Sequence, residues 1–573
     1  MAYFWRKRCY PKGDYYQIIL NEYDSVSKQN KCVKTISYGY ADDIVKKHGS
    51  DIVSFLNSEV DRLNQKHNPS PQIDSVSKSY YVGHFLLKSM FDSLDLKEVF
   101  KLINIDYHPN LDIYDFFKTM CYAQALAPGS KYKLFESVIP NIFGSCSFSY
   151  DQILDNTSHI GKDYLKYIEI LNDGINRKFG RDTSKVFFDC TNYFFEIDLQ
   201  DDFKRKGPSK ENRKSPLIGQ ALMLDANQIP IGMQLYPGNQ SEKPFLRKMI
   251  SDMKDRYNVS GKTIQIADKG LNCAKNIYAA SIEANDGYIF SKSIHGNGLS
   301  DIEKKWLLLS DNDSNLWSDV RDKNGRLIFK YKSCIDNFNY SFDDDEGKKV
   351  IFSIKEKRIV TYNPSLARKK LREIEKEVEK VSLKLSLKEY SKDEFGDSIK
   401  YVLFPKDNGK TIKGVLNIDK IEEDKRLAGY NLLVTSELSM PDIDVYHAYH
   451  GLWRIEHFFR MLKSYLNERP VFVHLKETIY GHFLIGYYVI TLVRLLEFYI
   501  FNDQISEEEL FDFMRQYKVT KYADDRFVNT SCSCDTYQFV KDTFALSKLG
   551  NVFLTSKDIN NILNAYIDYS IPK

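Results

Sequence analysis

Between residues 186 and 290 the apolar segments follow one order: three short strands, a helix, a strand, a helix and a strand. Val186-Phe-Phe-Asp189 is the first strand. Leu217–Leu224 and Pro230–Tyr236 form a hairpin across the turn-rich Asp225-Ala-Asn-Gln228. A helix over about 241–257 leads to Thr263-Ile-Gln-Ile-Ala-Asp268, and a second over 273–284 leads to Gly287-Tyr-Ile-Phe290. Hairpin strands followed by strands that alternate with helices are the order of an α/β core.

The order is that of an RNase H-like sheet, in which the first and fourth strands are neighbours. Asp189 ends the first strand and Asp268 the fourth, so the two carboxylates are expected at one sheet edge. A third acid comes from Tyr449-His-Gly-Leu-Trp453-Arg-Ile-Glu456-His-Phe-Phe-Arg460-Met-Leu-Lys463. Tyr449, Trp453, Glu456, Arg460 and Lys463 are spaced to share one helical face. Leu452, Ile455, Phe459 and Leu462 make an apolar stripe about 100° away. Such a helix buries one face and presents a carboxylate beside a guanidinium and an ammonium on the next. Ser439-Met-Pro441-Asp442 is the expected helix start, with Ser439 as N-cap.

Three crowded carboxylates repel one another unless divalent cations neutralise them. Two Mg²⁺ ions, for which Mn²⁺ can substitute, are the expected cofactors, and phosphodiester chemistry is what such a pair serves. Either aspartate alone reads equally as a capping or turn residue; their joint placement with the 449–463 stripe favours a site. His447, His450 and His457 are nearby, but hard Mg²⁺ prefers oxygen ligands.

The rest of the chain divides around this core. With 573 residues it exceeds one ordinary domain. Residues 1–70 read as strands and a helix, ending in the polar Asn-Pro-Ser-Pro-Gln linker at 68–72. Residues 71–180 read as helices, suited equally to gripping DNA or to packing and dimerisation. The core occupies 181–297 and 429–510, interrupted by a largely β insertion over 298–428 that is expected to leave and re-enter it. Within that insertion 365–384 reads as a charged helix. Residues 511–573 read as a helical C-terminal region. The overall class is α/β.

A net charge of +3 is too small to argue for a nucleic-acid partner, so that argument rests on local clusters. Lys204-Arg205-Lys206 with Lys210 and Arg213 lies in the loop after the first strand, where it suits a phosphate backbone or is a solvated surface loop. Nine scattered cysteines hold no metal-ligand spacing and read as reduced thiols of a cytoplasmic protein. Arg6-Lys-Arg8 is followed by polar residues, so no signal peptide is expected. Residues 479–501 are membrane-like but carry His482, Arg494 and Glu497, and are expected as a buried helix rather than a span.

Tyr449, Glu456 and Lys463, with Asp189-Cys-Thr-Asn-Tyr-Phe-Phe-Glu196 and Ala267-Asp-Lys-Gly270, resemble bacterial insertion-sequence transposases of the DDE type with a Tyr–Arg–Glu–Lys signature. The family arginine position holds Leu452, while Arg454 and Arg460 lie close by. The resemblance implies metal-dependent cleavage at element ends and transfer of the freed 3′-hydroxyl into target DNA. It implies that Asp189, Asp268 and Glu456 bind metal and catalyse. Tyr449, Arg454, Arg460 and Lys463 would contact DNA, and Trp453 would either stack on a flipped base or sit in the core. Partners would be double-stranded DNA, as terminal inverted repeats and target, and a second protomer in the DNA complex, with no membrane and a place on the bacterial nucleoid. Two alternatives remain: a nuclease without strand transfer, and a silent transposase-derived DNA-binding protein.

Overall fold

The protein is described by a computed structural model over residues 2–24, 29–67, 77–104, 112–208, 215–257, 261–295, 299–308, 316–387, 392–407, 410–411, 413–531 and 535–566. The chain forms two compact units. One comprises Met1–Tyr80, Lys518–Ser531 and Lys548–Asn561; the other comprises Tyr81–Tyr517, Cys532–Ser547 and Ile562–Lys573.

In the first unit, strands Ala2–Tyr10, Gly13–Asp24 and Gln29–Tyr40 make an antiparallel sheet. Helices Ala41–His48 and Ile52–His67 follow, and their Ile44 and Leu56 pack with Tyr3, Tyr16, Ile18 and Leu20. Lys518–Ala523 and Arg526–Asn529 form a hairpin within the C-terminal region expected to be helical. Val519, Tyr522, Phe527 and Val528 favour strands, and Asp525 adopts a φ of 55° at the turn.

The second unit is mixed α/β. Helices Phe85–Leu94, Ile113–Leu126, Tyr150–Lys162 and Tyr164–Phe179 surround the helix Lys476–Leu495. Among the described residues that last helix, with its continuation to Ile500, is long and apolar enough to cross a membrane. Yet 83% of its most apolar window is buried inside the protein, as expected of a core helix. The helix approaches so closely that a side chain at Gly481 would strike the Thr157 carbonyl.

The central sheet has nine strands among the described residues. They are β1 Lys185–Phe194, β2 Leu217–Leu224, β3 Pro230–Pro237, β4 Ile264–Ala267, β5 Gly287–Lys292, β6 Ser318–Arg321, β7 Leu327–Asp343, β8 Lys349–Tyr362 and β9 Tyr430–Thr435. Their spatial order is β6-β7-β8-β9-β5-β4-β1-β2-β3. Only β1–β4 and β4–β5 pair in parallel. Helix α1, Lys243–Tyr257, joins β3 to β4, and α2, Ala274–Tyr278, runs through a π turn toward β5. Val186, Phe188, Ala221, Leu246, Ile277 and Val434 share one apolar cluster of this layer.

Two features differ from expectation. Residues expected to leave the core join it: Lys357–Tyr362 of β8 pairs with Tyr430–Thr435 of β9. Leu432, Leu433 and Val434 are buried in succession, so β9 is an interior strand covered on both faces, and β8 fills the edge that β5 leaves open. The remainder of that segment does carry its own packing. Helix α3, Pro364–Ser386, buries Ile374 against Tyr401 and Ile421, and Val381 against Phe395 and Val402. Asp189 does not end its strand either, because β1 continues to Phe194 along the full length of β2.

Candidate active site

The register of β1 against β4 brings the two aspartates together. Phe188 lies opposite Ala267 in a parallel pair, and Asp189 and Asp268 are the next residue of each chain segment. Phe188 and Ala267 belong to the apolar cluster on one face, so the alternation of β1 turns Asp189 to the other face. Both aspartates are half-buried.

Two short helices lie across that second face: α4, Asp442–His450, and α5, Trp453–Arg460. The helix expected to run unbroken from the Ser439 signal starts instead after Pro441, without a side-chain cap, and is interrupted at Gly451. The interruption is a point of close packing. A Cβ on Gly451 would sit 2.6 Å from the Phe187 ring and 3.0 Å from Gln228 Nε2. A further π turn, Met461–Tyr465, follows α5. Tyr449 and Lys463 are therefore offset from the single straight stripe implied by their spacing.

Both nevertheless reach the aspartate strands. The Tyr449 hydroxyl donates to Asp268 Oδ1 at 2.8 Å. Burial first, then the Asp268 charge and the more remote Glu456 charge, push this phenol well above its usual range. It is thus a donor and not a base. Lys463 Nζ donates to Thr191 Oγ1 at 2.7 Å and lies 5.2 Å from the Tyr193 ring centre. Thr191 is two residues from Asp189 on the same strand and so shares its face. Glu456 is exposed.

Among the described residues no three His, Cys, Asp or Glu side chains are gathered tightly enough to enclose a metal ion. The donor types still fit one: two hard carboxylates follow a register pair, and the exposed Glu456 is on α5, the helix that follows the one Tyr449 anchors to Asp268.

The other expected contacts divide. Arg454 is buried and does not reach solvent: its guanidinium pairs with Glu497 at 3.0 Å and Glu507 at 3.5 Å. Glu507 begins helix α6, Glu507–Gln516, and also holds His457 Nε2 at 2.5 Å. Trp453 is 52% exposed, which rules out a core position, and the Arg454 guanidinium lies 4.4 Å from its ring centre. Arg460 is exposed, bonded to His457 Nδ1 at 2.6 Å with Glu508 at 3.6 Å. Lys204 is buried, donating to the His474 carbonyl at 2.7 Å and pairing with Asp201 at 2.8 Å, so it is a tether rather than a free phosphate contact. Arg205 pairs with Asp202 at 3.2 Å and Lys206 is exposed. Lys210 and Arg213 lie outside the described residues.

Thr191, Ser291 and Asn431 are members of this neighbourhood that sequence patterns do not single out. Ser291 Oγ donates to Asn431 Oδ1 at 3.0 Å and lies within hydrogen-bonding reach of Tyr449. Tyr446 and His450, also on α4, line a cavity of about 350 Å³ with Asn431, Lys369 and Lys370.

No family model matches this chain, and no curated protein matches it. Among solved structures, a cryo-EM structure of a piggyBac transposase synaptic complex with hairpin DNA aligns with 87% of this chain and 89% of that chain. Identity is 12% and the TM-score 0.35. A likeness at that level carries no argument about this chain's chemistry.

Proposed function

We propose that the protein is a DNA transposase of the DDE type, built on an RNase H-like core. It cleaves the ends of an insertion sequence and transfers the freed 3′-hydroxyls into target DNA. The observation that carries this reading is the contact of Tyr449 with Asp268, one residue past the register pair that also leads to Asp189. It fixes α4, the helix immediately before the one that carries Glu456, against one of the two strand acids. The β3-β2-β1-β4-β5 portion of the sheet supports the core assignment, since the hairpin strands flank the first strand on one side and the parallel pair on the other.

In this reading Asp189, Asp268 and Glu456 would hold two Mg²⁺ ions, and that pair would supply Lewis-acid activation of water or a 3′-hydroxyl and of the leaving oxygen. Tyr449 orients Asp268. Lys463, on the face of Asp189 and Thr191, engages a phosphate beside the scissile bond, and exposed Arg460 and Lys206 add charge along the strand. Trp453 offers an exposed ring for base stacking. The protein works as a homodimer on DNA in the cytoplasm, at the nucleoid.

The test is a cleavage assay on duplexes taken from the DNA flanking the gene. Asp268→Asn should abolish Mg²⁺-dependent cleavage while leaving duplex binding close to wild type, since it removes an anionic oxygen with little change of shape. Products joined to a second duplex identify transfer rather than cleavage alone. Normal cleavage by Asp268→Asn would overturn the reading.

A further inference from the structure

The N-terminal sheet has one face covered by helices; the other has an apolar row, Phe4 beside the buried Ile19, followed by two rows that are polar and basic. We propose that the second face lies in the major groove of duplex DNA and reads bases through Arg6 and Gln17. The inference rests on the reading that duplex DNA is the substrate, and it assigns where sequence is recognised.

The register divides the side chains cleanly. Tyr3 pairs with Leu20 and Trp5 with Ile18, and these face the helices, where Trp5 Nε1 donates to Asn57 Oδ1 at 2.8 Å and the Tyr38 hydroxyl to Glu59 at 2.8 Å. Arg6, Gln17 and Ser37 form the alternate row across all three strands. Arg6 Nε donates to Gln17 Oε1 at 3.2 Å, and Gln17 Nε2 to Ser37 Oγ at 3.3 Å. In the next row Arg8 is exposed beside Tyr15 and Tyr40, with Lys12 lying 5.4 Å from the Tyr40 ring centre. Among the described residues no acidic side chain falls in these two rows.

The chemistry favours a duplex. Guanidinium and carboxamide are the groups that pair bidentately with guanine and adenine edges in the major groove. Three strands spaced about 4.8 Å apart span about 10 Å, which enters a groove about 12 Å wide, and sheets are an established means of reading it. Tyr10, Tyr15 and Tyr40 pack edge-on against one another, with centre distances of 6.0 and 5.0 Å, rather than splayed as platforms for unpaired bases.

Fluorescence anisotropy of the full chain with two probes tests this: a duplex copied from the DNA flanking the gene, and a shuffled duplex of equal composition. The wild type should prefer the first. Arg6→Ala and Gln17→Ala should each reduce that preference by about tenfold, with thermal melts matching the wild type. Lys46→Ala with Lys47→Ala, on the covering helix, should leave it unchanged. Undiminished preference in both Arg6→Ala and Gln17→Ala overturns the inference, as does equal wild-type affinity for the two duplexes or a single strand that binds as tightly. Absence of any duplex binding or cleavage by the wild type would instead overturn the transposase reading, and this inference with it.

Discussion

The hydroxyl of Tyr449 donates to Asp268 Oδ1 at 2.8 Å, joining the last turn of α4 to the residue that follows β4. Burial first, then the Asp268 charge, keep the phenol protonated, so it stays a hydrogen-bond donor. A helix and a strand distant in sequence are thereby fixed at the point where chemistry is proposed.

Tyr449→Phe removes that bond and little else. Hydrogen bonds to charged groups contribute about 1.5–3 kcal/mol, so single-turnover cleavage should slow by about tenfold or more with duplex affinity nearly unchanged. Equal rates would remove Tyr449 from the site.

Gly451→Ala introduces a methyl group where 2.6 Å separates it from the buried Phe187 ring. Overpacking of this kind costs about 1–3 kcal/mol. A lowered melting temperature together with reduced cleavage is expected; a wild-type melt would mean that α4 and α5 shift freely.

Arg454→Ala removes the cation shared by two buried carboxylates, leaving Glu497 to Arg494 and Glu507 to His457. Leaving a buried charge wholly unpaired costs about 3–5 kcal/mol; with those partners retained the loss should be smaller, but still large enough for urea denaturation to register. The salt dependence of DNA binding should stay unchanged, since this arginine is enclosed by protein.

Lys463→Ala should behave in the opposite sense. Its loss should weaken duplex binding and lower the salt slope by about one phosphate contact. An unaltered slope in an anisotropy titration would confine Lys463 to its bond with Thr191.

Stability should fall with pH around Glu497. Burial first, then the Glu507 charge, raise its pKa from 4.5 to about 7 against the opposing pull of Arg454 and Arg494. A carboxyl raised in the folded state gives its full stabilisation below its unfolded pKa and loses it as pH rises through the folded one. Between about pH 4.5 and 7 the wild type should lose stability that Glu497→Gln retains. Parallel denaturation curves across that window would refute the assignment.

The sheet and its acids were legible because strand alternation and turn residues are local. The 449–463 helix was legible as a register, and its end residues do reach β1 and β4. Its interruption was not, since Gly451 is dictated by a ring on β1, Phe187, far away in sequence. Arg454 looked like a free cation for the same reason: its acidic partners lie 43 and 53 residues downstream. Lys204 stood in an apparently flexible basic run, but its tether is the carbonyl of His474, 270 residues on. The segment after β5 has the alternation of strands, yet nothing local distinguishes a strand that pairs within its own excursion from one that pairs with β9.

That last pairing bears on how the protein can be dissected. If 298–428 were a detachable cassette, it could be cut out and the ends rejoined. Because β8 covers β9, excision would leave Leu432, Leu433 and Val434 along a newly unpaired sheet margin. Such a margin recruits strands from other molecules, so a shortened chain should self-associate into insoluble material rather than yield a minimal catalytic core.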